Sequence, residues 1–299
     1  MLESNWPLEN GLPQELPWQG SVGLLLDGVS VEKLPQKLYQ WADSPVFEPL
    51  YLHTRLAELH DISPCLVQID SPHNPILAQF LNAVDLEWGH LVFSDQSWSQ
   101  LVAHWRWLTF VTLSHGQDVL LRLADPAAIH ALLADAHSIK DPTLFGPCTH
   151  IVTADAVLGC WHVNQRPGQA PEPDHAKHYR LSGEQFSRLN DVNFRAMVLR
   201  LDQHLQAFFP AFQADLDHAQ RWSYLNELTQ SAYKRGLCSE YDITLFANIH
   251  GFLGAHALHE HPDLDAQLKT PSAQTPTQRL EHVARIAKDR PEPSQRNPA

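Results

Sequence analysis

Charge, methionine and recognisable catalytic signatures are all scarce in this chain. Charged residues fill only 18% of its 299 positions, and methionine occurs twice. With hydrophobic residues at 43%, there is ample material for a sizeable core, which excludes broad disorder. The four cysteines, Cys65, Cys148, Cys160 and Cys238, form no Cys-x-x-Cys pair, so the usual structural-zinc and redox spacings are absent. A chain of this length does not need disulfides, and the four read as reduced thiols of a cytoplasmic protein. Gly-x-Ser-x-Gly, Walker A and Gly-x-Gly-x-x-Gly patterns are missing, which removes the motif-based case for a hydrolase or a nucleotide-binding protein. No apolar run approaches a membrane span. The first residues, MLESNWPLENGLPQELPWQG, have neither a basic region nor an apolar stretch, so no signal peptide is expected.

Basic residues are few as well. Lys and Arg total 21 against 34 Asp and Glu, a net charge of −13. That field repels a phosphate backbone, so nucleic acid is not an expected partner. The last stretch differs: from Lys269 onward there are six Lys/Arg and three Asp/Glu, leaving −16 on the preceding residues. An acidic body suits a basic protein partner, and it also serves plain solubility.

What is plentiful is proline (22), tryptophan (9) and histidine (19). Many prolines imply many short elements with rigid turns. Many tryptophans imply large aromatic anchors in a core or an interface. The pattern along the chain alternates. Val22–Leu26, Cys65–Ile69, Gly89–Phe93, Trp107–Leu113 and Val119–Leu123 read as strands. Phe145–Ala154 and Leu158–Val163 read as two more. Val31–Trp41, Pro75–Val84 and Ser97–Trp105 carry helical apolar spacing, and Asp125-Pro126 is a helix start with an N-cap and a proline in the first turn. Residues 165–178 lack periodicity. Beyond them the pattern is wholly helical, with capping-box signatures at Ser182-x-x-Gln185 and Ser239-x-x-Asp242 and a stop at Gly236. The expected organisation is an irregular N-terminal arm (1–20), an α/β domain with a mixed sheet and flanking helices (21–164), a linker (165–178), an all-α lobe (179–268) and a flexible tail (269–299).

Candidate chemistry is thin. His250, His256, His259 and His261 cluster, but no His-Glu-x-x-His pattern exists and Pro262 is expected to end any helix there, so no metal site and no cofactor are assigned. Cys160 and His162 flank Trp161 on a strand, where neighbours point to opposite faces. Arg122 sits in apolar sequence and is expected to pair with Asp125 or Asp27 as a partly buried brace. Trp98 and Trp105, seven apart on one helix face, are candidate partner-binding anchors; the plainer reading puts them in the core.

Several pieces in order resemble one family. They are LLLDG (Leu24–Gly28), PLY (Pro49–Tyr51), SPCLV (Ser63–Val67), Trp88-Gly89 with the strand ending at Ser94, LVAHWR (Leu101–Arg106), LLRLADP (Leu120–Pro126) and FGP (Phe145–Pro147). Their order and spacing resemble the type VI secretion adaptor family often called Tap-like, known as domain of unknown function 4123, over about residues 22 to 150. The resemblance implies that Asp27, Gly28, Tyr51, Trp88, Arg122, Asp125 and Pro126 are motif positions with structural roles. It implies a non-catalytic adaptor or chaperone in the cytoplasm, with a cognate effector and the VgrG or PAAR spike protein as partners and no insertion into a membrane. The competing readings are an immunity protein that neutralises a secreted toxin and an effector enzyme of the same system.

Overall fold

A computed structural model describes residues 5–139, 141–171, 174–270 and 272–290. The expectations for residues 1–4 of the arm and for the final PEPSQRNPA lie outside the described residues. The chain divides into two compact units, Met1–Val192 and Asn193–Ala299.

The first unit is built on a seven-stranded sheet with strand order β1-β9-β8-β5-β2-β4-β3. Its strands are β1 (Asn5–Pro7), β2 (Ser21–Leu26), β3 (Phe47–Pro49), β4 (Cys65–Gln68), β5 (Gly89–Ser94), β8 (Cys148–Asp155) and β9 (Cys160–Gln165). Every pairing in this sheet is antiparallel. A second sheet, β10-β6-β7, joins β6 (Phe110–Thr112) to β7 (Asp118–Leu120) and carries a parallel pair between β6 and β10 (Tyr179–Arg180).

The large sheet is covered on both faces. Side chains alternate along a strand, so β2 sends Leu24 and Leu26 to one face and Leu25 to the other. Leu24 and Leu26 pack with Leu91, Phe93 and Val152, under α1 (Leu34–Trp41) and α2 (Pro75–Asn82). Leu25 packs with Leu66, Val92 and Ile151, under α3 (Trp98–Trp107) and α4 (Pro126–Ile139). Covering both faces explains why these strands read as unbroken apolar runs rather than as alternating ones. The helix starts follow their signals. Asn74 caps α2 through Ile76 N–H at 2.9 Å, and Ser97 with Gln100 forms a reciprocal capping box on α3.

Three expected features take a different form. The N-terminal arm contributes β1, which pairs with β9, and Trp18 packs edge-on against Phe93 at 5.2 Å. Segment 165–178 belongs to the first unit, and the division falls later, inside α5 (Gly183–Phe208). What ties the segment down is long-range: Trp107 Nε1 donates to the Lys177 carbonyl at 2.8 Å, and His175 stacks on the Trp107 ring at 5.0 Å. Trp107 ends α3 rather than opening a strand.

The second unit packs the end of α5 with α6 (His218–Lys234), α7 (Glu240–Leu253), α8 (Ala257–Glu260), α9 (Pro262–Lys269) and α10 (Pro276–Asp289). Val198, Leu205, Leu225, Phe246 and Ile249 are buried at its centre. Within this core Arg221 donates to Asp202 at 2.5 Å and to the Phe212 carbonyl at 2.8 Å, so its charge is buried with partners. Ser239 caps α7 as its sequence signature requires, and Gly236 follows α6 with φ 78°. As expected, the helix before Pro262 stops ahead of it, α8 ending at Glu260; Pro262 then opens α9, where a proline at the first helical position loses no bond. The expected flexible tail supplies α10, whose Leu280, Val283 and Ala287 are fully buried. Its apolar stripe is short, but it completes the core rather than trailing from it. Among the described residues no helix is long and apolar enough to cross a membrane.

Leu24 is fully buried on the central strand. Leu24→Ala is expected to cost about 3 kcal/mol through lost transfer energy and a residual cavity. Val46→Ala, at an exposed position, is expected to stay within about 0.5 kcal/mol. Urea unfolding followed by tryptophan fluorescence checks both.

Candidate functional site

Two places in the first unit are candidates for function, and the first of them gathers residues singled out by sequence. The first is the turn after β2. Asp27 N–H donates to the Trp88 carbonyl at 2.8 Å. Its carboxylate accepts from Val29 N–H at 3.1 Å and from Ser30 Oγ at 2.7 Å, closing an Asx-type turn. Gly28 then passes so near the next segment that an added Cβ would lie 2.3 Å from the Ser63 carbonyl oxygen. Only glycine fits there. Ser63 Oγ accepts from Tyr51 N–H at 3.0 Å and donates to the Pro64 carbonyl at 3.0 Å. Burial pushes the Tyr51 phenol up from its ordinary pKa, and the negative charge of Asp27 adds to that. Trp88 stacks on Trp41 with ring centres 6.3 Å apart. The structure thus brings Asp27, Gly28, Tyr51 and Trp88 together, from pieces spread over some sixty residues of sequence, in a turn that joins strand ends.

Arg122, Asp125 and Pro126 lie elsewhere, at the start of α4. Asp125 Oδ1 accepts from Ala127 and Ala128 N–H at 3.1 and 3.2 Å, a helix N-cap with Pro126 at the first position. Arg122 does pair with Asp125, at 3.5 Å, but its side chain is 60% exposed. The expected partly buried brace is therefore corrected: β7 ends at Leu120, the chain turns, and Arg122 faces solvent while Leu121 and Leu123 face the core. An exposed pair of this kind contributes about 1 kcal/mol or less. Trp98 opens α3 and is half-buried against the core. Trp105 is 1% exposed, so the expectation that it anchors a partner is also corrected; it has no surface to offer.

The second place is a groove of about 740 Å³ along α3. Its walls include His104, Trp107, His175, Lys177, His178 and Arg180. His178 Nδ1 pairs with Asp118 at 2.9 Å, and Arg180 donates to the Ser114 carbonyl at 2.5 Å. His178 and Arg180 are thus tied to the β6–β7 hairpin. His104 is buried, with Nε2 donating to the Leu144 carbonyl at 3.0 Å. Burial lowers its pKa to about 4, so the ring is neutral at pH 7. Gly146 (φ 52°) passes over this ring, and a Cβ there would sit 2.3 Å from it, which accounts for the glycine of the FGP piece. The nearby Cys148 thiol is fully buried and pushed up to about 12, so it holds its proton at neutral pH. The groove offers aromatic and amide surface for contact, and no activated nucleophile. Sequence reasoning missed it, because half of its wall comes from the segment that carries no periodic signal.

Other candidate chemistry does not converge. Among the described residues no group of three or more His, Cys, Asp or Glu side chains is placed to hold a metal. His250 Nδ1 turns to the Ala255 carbonyl at 3.1 Å, while His261 Nδ1 meets Arg290 at 2.9 Å. On β9, Trp161 is in the core and His162 stacks on His130 at 3.8 Å.

Residues 24–139 match the family described as a domain of unknown function, DUF4123. The whole chain is 30% identical over 289 residues to the accessory protein VasW of Vibrio cholerae serotype O1, covering 94% of this chain and 92% of VasW. No solved structure matches the chain. The chain belongs to the DUF4123 family, the type VI secretion adaptor-like family that its N-terminal pieces resemble. Its role is accordingly one associated with type VI secretion.

His90, whose two ring nitrogens are buried without a partner, stands beside Trp105 with ring centres 5.4 Å apart. Burial lowers its pKa from 6.5 to about 3, so folding favours the neutral ring. That preference is fully present above about pH 6.5 and is lost as the pH falls below it, at about 1.4 kcal/mol per pH unit for one such histidine. Wild type is therefore expected to lose stability between pH 7 and pH 5, and His90→Leu to recover about 2 kcal/mol of that loss. Urea midpoints at the two pH values measure it.

Proposed function

We propose that this protein is a non-catalytic, cytoplasmic adaptor that binds a cognate type VI secretion effector and helps load it onto the VgrG or PAAR spike. The observation that carries this reading is the near full-length relationship to an accessory protein, which extends well past the 24–139 domain into the helical unit. An accessory role implies work through contact with other proteins of the system, and the chemistry of the first unit is consistent with that. Burial keeps His90 and His104 neutral and the Cys65 and Cys148 thiols protonated, and the groove along α3 presents rings and amides for contact. In this reading the family-shared α/β unit supplies the common scaffold, and the helical unit adds surface that selects a particular effector. Binding stabilises the effector state it recognises by mass action.

Co-expression of the tagged protein with the product of the neighbouring effector gene tests the proposal. The two are expected to co-purify from cytoplasm as a complex stable to gel filtration, and to bring a spike protein with them. If neither effector nor spike associates, the adaptor reading fails. If instead the protein protects a cell that expresses the toxin, and secretion does not depend on it, it is an immunity protein.

A further inference from the structure

Thirteen large apolar side chains are exposed among the described residues, and six of them, Val29, Tyr39, Val46, Leu52, Leu59 and Ile62, come from residues 29–62. Apolar side chains scattered singly over a surface are ordinary; a concentration is not. The fold keeps these residues at one border of the large sheet. Tyr39 on α1 meets Phe47 of β3 edge-on at 5.9 Å. The 3-10 turn Ala57–Ile62 packs beside α1, and the backbone at Ile62–Ser63 lies against Gly28, next to Val29. Val29 and Tyr39 are 63% and 62% exposed.

The backbone of this border is not available to an added strand. β3 is the last strand of the sheet and bonds inward, with Gln68 N–H donating to the Val46 carbonyl and Leu50 N–H to the Pro64 carbonyl. Pro45 and Pro49 have no N–H to give on the outer side, a common protection of an edge strand. Whatever covers the patch does so through side chains. Four carboxylates, Glu32, Asp43, Glu58 and Asp61, are exposed on the same stretch, Asp61 lying 3.3 Å from His60, against two exposed cations, Lys33 and Arg55. Arg55 is exposed and lies over the Phe110 ring at 3.7 Å, while Arg106 is neutralised by Glu48 at 3.4 Å. Lys33 and Lys37 remain beside the acidic groups. An apolar strip with a carboxylate rim complements a helix whose one face is apolar and whose flanks are basic.

We infer that the β3 border is a docking surface for a cationic amphipathic helix of the bound partner protein; this rests on the adaptor reading for the partner's identity, not for the chemistry of the surface. A synthetic Leu/Lys amphipathic peptide of about five helical turns, with a Leu/Glu peptide of the same pattern as control, probes it by fluorescence anisotropy on the full-length protein. Wild type is expected to bind the Lys peptide and not the Glu peptide. Y39S/V46S/I62S, all at exposed positions, is expected to weaken binding at least about tenfold. E32Q/D43N/E58Q keeps the apolar contacts and is expected to weaken it severalfold and flatten its salt dependence. L158S/F208S, at exposed apolar sites elsewhere, is expected to leave binding unchanged. Equal binding by wild type and both triple variants overturns the inference, and so does equal binding of the Glu peptide. A wild-type dimer in light scattering that Y39S/V46S/I62S dissociates also overturns it, since a second copy is then the occupant. With the co-expressed effector, capture by wild type but not by Y39S/V46S/I62S supports the surface. Retention by that variant overturns the surface and leaves the adaptor reading standing. Absence of effector on wild type counts against the adaptor reading alone, and the peptide titration still decides the border.

Discussion

The architecture of the first unit depends on burying one antiparallel sheet from both sides. β2 is its spine, hydrogen-bonded to β4 and β5 and fully buried from Leu24 to Leu26. A sheet covered on one face only would read as alternating apolar and polar residues and would leave its other face as an obvious binding surface. Here helices occupy both faces, so the surface left over lies at the borders and in the segments that wrap them. The turn around Asp27, Gly28 and Ser63 exists because strand ends on a two-sided core must pass close to one another, with glycine where backbones meet.

This constraint separates the residues that build the molecule from those that can meet another. Asp125, Gly146 and Tyr51 are spent on a cap, a close crossing and a buried turn. Trp105 fills the space between the sheet and α3. The surface left over is an aromatic groove along α3 and an apolar border at β3 with carboxylates around it. Both suit contact with protein, in keeping with membership in a family associated with type VI secretion.

Much of the fold was legible because its signals are local. Val22–Leu26, Cys65–Ile69 and Gly89–Phe93 were readable as buried strands because two-sided burial makes each an apolar run, and they appear as β2, β4 and β5. Asp125-Pro126, Ser182 and Ser239 announced helix starts through side-chain oxygens placed three residues ahead of free N–H groups. What escaped was non-local. β1 and β3 are three-residue strands, too short for any period, and each exists only through its partner. The groove wall at His175–Arg180 has no pattern of its own and is held by Trp107 and β6. The expected strand runs three residues past Leu120, to Leu123; its alternation holds, with Leu121 and Leu123 inward, but the face that carries Leu120 and Arg122 meets solvent rather than apolar neighbours.

In the proposed role the protein holds an effector through surface contact on its way to the spike. Secretion of that effector, followed by immunoblot of medium and cells from a strain lacking this gene and from the same strain complemented with it, tests that role most directly. In the deletion strain the effector is expected to be lost from the medium while the spike and tube proteins are still exported, with recovery on complementation. Unchanged export of the effector without this protein would contradict it.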